Sequence, residues 1–179
     1  MSIKEFINDH LLSGQESDWL EFITLTLVSG ELAIADPTLY PDGAIAYLHP
    51  GRYCVQVKLL LDDGYPIVTM LRVFARDNLE EGNHITIGGT VGEVSVDFGR
   101  IGVADNKIVK PYTTNIDLEL AESIWASLET SEIFGVLTYD ADHIAIMPFV
   151  TPGYGDGRYS VFYLERDSHN IGIEISFIA

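Results

Sequence analysis

Two short motifs occur twice in this chain, and any fold must find a place for both copies. Gly30-Glu31-Leu32-Ala33-Ile34-Ala35-Asp36 is echoed by Gly99-Arg100-Ile101-Gly102-Val103-Ala104-Asp105. Gly51-Arg52-Tyr53-Cys54-Val55 is echoed by Gly157-Arg158-Tyr159-Ser160-Val161. In each pass an Ala-Asp comes first and a Gly-Arg-Tyr follows, which predicts two pseudo-related halves joined near residues 76–98. The spacing differs, since Asp36 precedes Arg52 by 16 positions and Asp105 precedes Arg158 by 53. A fixed-period repeat array is therefore excluded.

Most of the remaining chain has strand patterning. Val94, Val96 and Phe98 alternate with Ser95 and Asp97, the period of a half-buried strand. Arg52–Leu61 and Pro66–Ala75 flank Asp62-Asp63-Gly64 and predict a long hairpin. Short strands are expected at Trp19–Val28, Glu31–Asp36, Ala44–Leu48, His84–Ile87, Val91–Phe98 and Ile101–Ala104, with Gly88-Gly89 and Gly99 as turns. After residue 130 come Ile133–Thr138, His143–Val150, Arg158–Leu164 and Ile171–Ile178. Two helices are expected. Ile3–Leu12 spaces Ile3, Phe6, Ile7 and Leu11 helically, with Ser2 and Glu5 as a capping box. Asn115–Glu129 repeats Ile116, Leu120, Ile124 and Leu128 every four residues, with Ala121 and Trp125 on the same side and Thr114 as cap. The predicted fold is α+β, a mainly antiparallel β single domain over residues 1–179, with one N-terminal and one central helix.

Charge narrows the partners. Only 4 Lys and 6 Arg stand against 27 acids, for a net charge of −17. A field of that sign repels phosphate, so neither nucleic acid nor an anionic membrane is an expected partner. A basic protein is. The single cysteine, Cys54, excludes an intrachain disulfide framework and reads as a small buried hydrophobe. Ile3–Leu12 carries Lys4, Glu5, Asp9 and His10, unlike a signal peptide, so a cytoplasmic location is expected.

Several motifs together resemble a known family. Ala35-Asp36-Pro37, the run from Pro50 to Val55, Gly-Tyr-Gly-Asp-Gly-Arg-Tyr-x-Val-x-Tyr from Gly153 to Tyr163, and Ile-x-Ile-x-Phe from Ile173 to Phe177 are similar to the bacterial family called domain of unknown function 4241. The likeness covers roughly residues 28–178. Tyr163 is followed by Leu164 where the family pattern expects glycine, and Asn106 also departs from it. The resemblance implies a shared fold and no established activity. Small acidic proteins of this kind are similar to many bacterial toxin-immunity proteins.

No catalytic signature stands out. His10, His49, His84, His143 and His169 lack zinc-site spacing, and neither a metal nor a cofactor is expected. Gly88-Gly89-Thr90-Val91-Gly92 lacks the lysine of a phosphate loop, and Asp140-x-Asp142 lacks the full calcium-loop pattern. Arg52 and Arg158 have two readings. Each is an anion- or partner-binding cation, or a fork that grips a buried carboxylate. The second reading expects Asp36 beside Arg52 and Asp105 beside Arg158, or the pairs exchanged between halves, with Tyr53 and Tyr159 completing a structural motif. The glycine-rich stretch Thr151–Phe162 offers Tyr154, Asp156 and Arg158 as binding candidates, with Asp140 and Asp142. Two functions follow. One is an acidic, immunity-type binding protein that covers a basic partner such as a toxin. The other is a small-molecule binder or enzyme using the Gly153–Gly157 loop, with Asp156 as acid, base or ligand.

Overall fold

The computed structural model describes residues 11, 13–78, 84–114, 116–130 and 133–178. The expected helix Ile3–Leu12 lies outside this set except for Leu11, which is buried. In chain order the strands are β1 (Leu20–Leu27), β2 (Glu31–Ala35), β3 (Gly43–Tyr47), β4 (Gly51–Asp62), β5 (Tyr65–Ala75), β6 (Thr86–Val96) and β7 (Ile101–Asp105). Helices α1 (Asn106–Thr114) and α2 (Leu118–Thr130) follow, then β8 (Phe134–Thr138), β9 (Ile146–Val150), β10 (Gly157–Arg166) and β11 (His169–Ser176). The strands form a six-stranded sheet ordered β1-β4-β5-β11-β10-β6 and a five-stranded sheet ordered β3-β2-β7-β9-β8. Every pairing between these strands is antiparallel, so the α+β expectation holds.

Alternation explains the layering. On β2, Leu32 and Ile34 join β7's Ile101 and Val103 in an apolar core shared with the larger sheet's Val55, Val73 and Ile173. The intervening Ala33, Ala35 and Ala104 belong to a second core with Phe149, Met147 and the helix residues Val109, Ile124 and Leu128. The central strands β2 and β7 are thus buried on both faces, which is why they read as apolar runs without a polar face. Small residues on the helix side are required by closeness. A Cβ at Gly102 would meet Met147 at 2.7 Å.

The chain passes from the larger sheet to the smaller at two corners, Val28–Gly30 between β1 and β2 and Asp97–Gly99 between β6 and β7. Gly30 and Gly99 have φ of 78° and 65°, a region that costs residues with a Cβ and not glycine. A corner takes its amide groups out of the ladder, yet those donors still need acceptors. Here the acceptors are the two motif aspartates, used crosswise. Asp105, ending β7, accepts hydrogen bonds from the amides of Val28 (2.7 Å) and Ser29 (2.8 Å) and from the Ser29 hydroxyl (2.6 Å). Asp36, following β2, accepts from the amides of Asp97 (3.1 Å) and Phe98 (3.0 Å). The other oxygen of each carboxylate serves its own turn. Asp36 Oδ1 takes Thr38 N–H (2.9 Å) and its hydroxyl (2.6 Å), while Asp105 Oδ1 takes the amides of Lys107 (3.1 Å) and Ile108 (3.3 Å) and caps α1.

The expected arginine forks are therefore corrected. Arg52 and Arg158 are exposed, and among the described residues neither forms an ion pair. Backbone amides already fill the carboxylates. The tyrosines of the motif are structural as expected: Tyr53 donates to the His49 carbonyl (2.7 Å) and Tyr159 to the Gly155 carbonyl (2.8 Å), each four residues upstream.

Other expectations need adjusting. Gly88-Gly89 is no turn: β6 runs through it, and the Glu165 side chain of β10 lies over Gly88, where a Cβ would push it aside. The register shifts beside it, between Phe162 and Leu164, are what these glycines accommodate. The central helix begins at Leu118, capped by Asp117, whose carboxylate accepts the Leu120 amide at 2.8 Å. Thr114 instead donates to the Lys110 carbonyl at the end of α1 (2.8 Å). Ile116 precedes α2 and is 41 % exposed, and Trp125 is 45 % exposed, so the buried face reduces to Ile124 and Leu128 with Leu120 partly covered.

Two stability predictions result. Leu128→Ala should lower unfolding free energy by about 2–4 kcal/mol, whereas Ile116→Ala should change it by less than about 0.5 kcal/mol; equal losses would remove this account of the helix face. Asp105→Ala should cost about 3 kcal/mol or more, because corner and cap donors lose their acceptor together. Arg158→Ala should be neutral within about 0.5 kcal/mol. Chemical denaturation checks all four, and a large loss in Arg158→Ala would restore the fork.

Candidate functional site

The glycine-rich loop ahead of β10 is pinned at two points. Gly153 N–H donates to the Val68 carbonyl of β5 at 2.9 Å, and a Cβ there would stand 2.9 Å from that oxygen. One residue later the chain turns. Gly155 N–H donates to the Pro152 carbonyl (2.9 Å), and Gly155 has φ of 72°. Tyr159 then reaches back from β10 to hold Gly155. Its ring meets Phe177 edge-on, with centroids 5.2 Å apart. Burial, helped by the negative charge of Asp156, raises the Tyr159 hydroxyl above the usual phenol range. Burial does the same for Tyr53. Both stay protonated and able to donate at neutral pH.

Alternation along β10 sorts its side chains. Val161 is buried, and Tyr159 and Tyr163 pack partly against the shared core, as the pattern predicts. Tyr163 also accepts a hydrogen bond from the Tyr47 amide of β3 at 3.1 Å, tying the two sheets. The alternate residues Arg158, Ser160 and Phe162 line an open groove of about 520 Å³. Tyr154 and Asp156 join them from the loop, and Phe177 and Ile178 close the other side. Tyr154 is 70 % exposed. The groove combines a guanidinium, a carboxylate, two hydroxyl-bearing serines and aromatic walls, with a volume in the range of small-molecule sites.

Three of the five expected site residues, Tyr154, Asp156 and Arg158, thus come together. Asp140 and Asp142 do not line this groove. They sit in the β8–β9 connection, where Asp140 accepts the amides of Ile144 (2.9 Å) and Ala145 (3.1 Å) and shapes the turn, while Asp142 is exposed. The contribution of Ser176, Phe177 and Ile178 was missed, because their place beside β10 depends on pairing with β11. A second hollow, of about 370 Å³, brings His49 and His169 together across 120 residues of sequence. Among the described residues no three His, Cys, Asp or Glu side chains gather as metal ligands. Cys54 is fully buried, and burial raises its thiol, which suits packing rather than attack. No helix among the described residues is long and apolar enough to cross a membrane.

No family model, curated protein or solved structure matches the chain.

Tyr159→Phe should cost about 1 kcal/mol at neutral pH, the worth of one hydrogen bond. The native tyrosine holds its proton more tightly than an unfolded one, so its stabilisation is full below the unfolded pKa of about 10 and is lost as pH rises through the higher folded value. Tyr159→Phe should therefore show a shallower alkaline loss of stability. Identical pH profiles would mean the hydroxyl titrates alike in both states.

Proposed function

We propose that this chain is an acidic binding protein of the immunity type, which covers a basic partner such as a toxin and neutralises it by occupancy rather than by chemistry. The observation that carries this reading is the fate of the cations. Lys58, Arg76 and Lys107 are held in ion pairs with Glu16, Glu21 and Glu31 at 2.9, 2.6 and 3.0 Å. Arg72 lies over the Trp19 ring at 4.1 Å and donates to Gln56. Most of the cations among the described residues are thus engaged with the protein's own surface, and more than half of the described acids are exposed and outside any ion pair. Such a field speeds encounter with a positive partner and rejects negative ones.

We read the molecule as one folded unit of two related halves, β1 to β5 and then β6, β7, β9, β10 and β11. Exchanging the halves carries the order β1-β4-β5-β11-β10-β6 onto itself, and it carries β3-β2-β7-β9 onto itself with β8 added. The longer second spacing is then an insertion of α1, α2 and β8.

A second reading rests on the groove. Arg158 is exposed there beside Tyr154 and Asp156, an arrangement suited to a small carboxylate-bearing molecule. Arg158→Ala, neutral for stability, is the variant that would erase such binding.

Capture from a bacterial lysate at low salt should retain a basic protein that elutes as salt rises. With that partner purified, association should slow about tenfold or more between low and physiological ionic strength, with dissociation changing far less. A salt-independent association rate would leave the charge with a solubility role only.

A further inference from the structure

We propose that one flank of α2, together with Phe98, is the docking surface for a basic amphipathic segment of a partner protein. This rests on the reading above and gives it a location. On α2, Leu118, Glu122, Trp125 and Glu129 recur at spacings of four, three and four, which places them along one side of the helix. Leu118 is 75 % exposed and Trp125 45 % exposed. Beside Trp125 stands Phe98, 54 % exposed, its ring meeting the indole nearly edge-on at 5.7 Å. The two rings, with Thr38, Arg100, Leu128 and Glu129, line a shallow hollow of about 170 Å³.

Neither ring is loose. Phe98 is presented by the corner whose amides Asp36 holds, and α2 is anchored beneath by Ile124 and Leu128. Exposed aromatic groups on rigid backbone lose little freedom on binding, and contiguous exposed apolar surface marks interaction sites.

Charge decides the occupant. Residues 118–130 include Glu119, Glu122 and Glu129 and no Lys or Arg, and Asp97 adjoins Phe98. The nearest cation, Arg100, has its guanidinium turned onto the carbonyls of Gly99 (3.0 Å) and Leu128 (3.2 Å). The surface is aromatic and acidic. It suits Lys or Arg side chains laid over the indole, with neighbouring apolar residues on Leu118 and Phe98. A second copy of this chain fits poorly, since a twofold contact would set glutamates against glutamates.

The test uses the full chain labelled with 5-fluorotryptophan, whose two indoles, Trp19 and Trp125, report separately by fluorine NMR. The probes are a cationic amphipathic peptide of leucine and lysine and its leucine–glutamate counterpart. The lysine peptide should shift the Trp125 resonance and leave Trp19 in place, and the glutamate peptide should shift neither. Trp125→Ala, and Glu122→Lys with Glu129→Lys, should each weaken calorimetric binding at least about tenfold. Asp18→Lys with Asp62→Lys, the same charge change at exposed positions just before β1 and at the end of β4, should weaken it less than about threefold. If both double reversals weaken binding equally and Trp125 does not respond, the acidic field alone attracts the peptide and the surface is rejected. If the glutamate peptide engages Trp125 as well, the charge argument for the occupant is overturned. If the lysine peptide does not bind at all, this surface and the basic-partner reading fall together.

Discussion

The structure depends on two buried carboxylates that collect backbone amides where the chain leaves one sheet for the other. A sheet corner is a point of weakness: its N–H groups lose their ladder partners while the flanking strands remain buried. A carbonyl from a neighbouring strand could accept only in the ladder direction. An aspartate has two oxygens and can serve two segments at once, and its charge strengthens each bond. Asp105 binds the first corner with one oxygen, shares the Ser29 hydroxyl, and caps α1 with the other. Asp36 binds the second corner and its own turn. Because β2 and β7 pair antiparallel, with Leu32 opposite Asp105 and Ala35 opposite Gly102, each carboxylate emerges at the end of the pair where the other strand's corner lies. The crossing follows from the register.

That arrangement shows where sequence reading succeeds and where it stops. The doubled motifs mark residues that fix corners and turns, Asp36 and Asp105 through backbone amides and Tyr53 and Tyr159 through carbonyls four residues upstream. The hairpin across Asp62-Asp63-Gly64 is found as expected, with Asp63 and Gly64 both at positive φ. The partner of each aspartate is a different matter. Side-chain types are visible in a sequence, so a buried acid invites pairing with the nearest arginine in the motif. Amide donors belong to every residue, and which of them a corner leaves unpaired is a property of topology. Helix α1 is hidden for a related reason. It is short, contains Pro111, and takes its cap from a residue that also ends a strand. The outer groove is half legible: Tyr154, Asp156 and Arg158 come from one loop and strand, while Phe177 and Ile178 arrive through pairing.

The motif arginines belong to the surface, and this changes what their context means. Each begins a strand next to a tyrosine that bonds back four residues, so the turn before the strand is held without the arginine. The arginine is then free to point outward. In the second copy it opens into a groove with aromatic walls. In the first, Arg52 sits on an exposed strand end. Equal motifs with unequal surroundings separate what the fold requires from what a binding surface uses.

The same separation applies to the stretch between Asp105 and β9. After Asp36 a tight turn suffices, with the Leu39 amide bonded to the Asp36 carbonyl at 3.0 Å before β3 begins. After Asp105 the chain runs through α1, α2 and β8 before reaching β9. Ordering those extra residues costs conformational entropy, and burial of Val109, Ile124 and Leu128 against the smaller sheet offsets it. Packing alone would be satisfied by a helix whose remaining surface was uniformly polar. Instead α2 leaves Leu118 and Trp125 in water, Trp125 against Phe98 on the corner that Asp36 makes rigid. The carboxylate that closes a defect in the sheet thereby also fixes the backbone from which an aromatic surface is presented, and the acids around that surface set the charge of what can approach it.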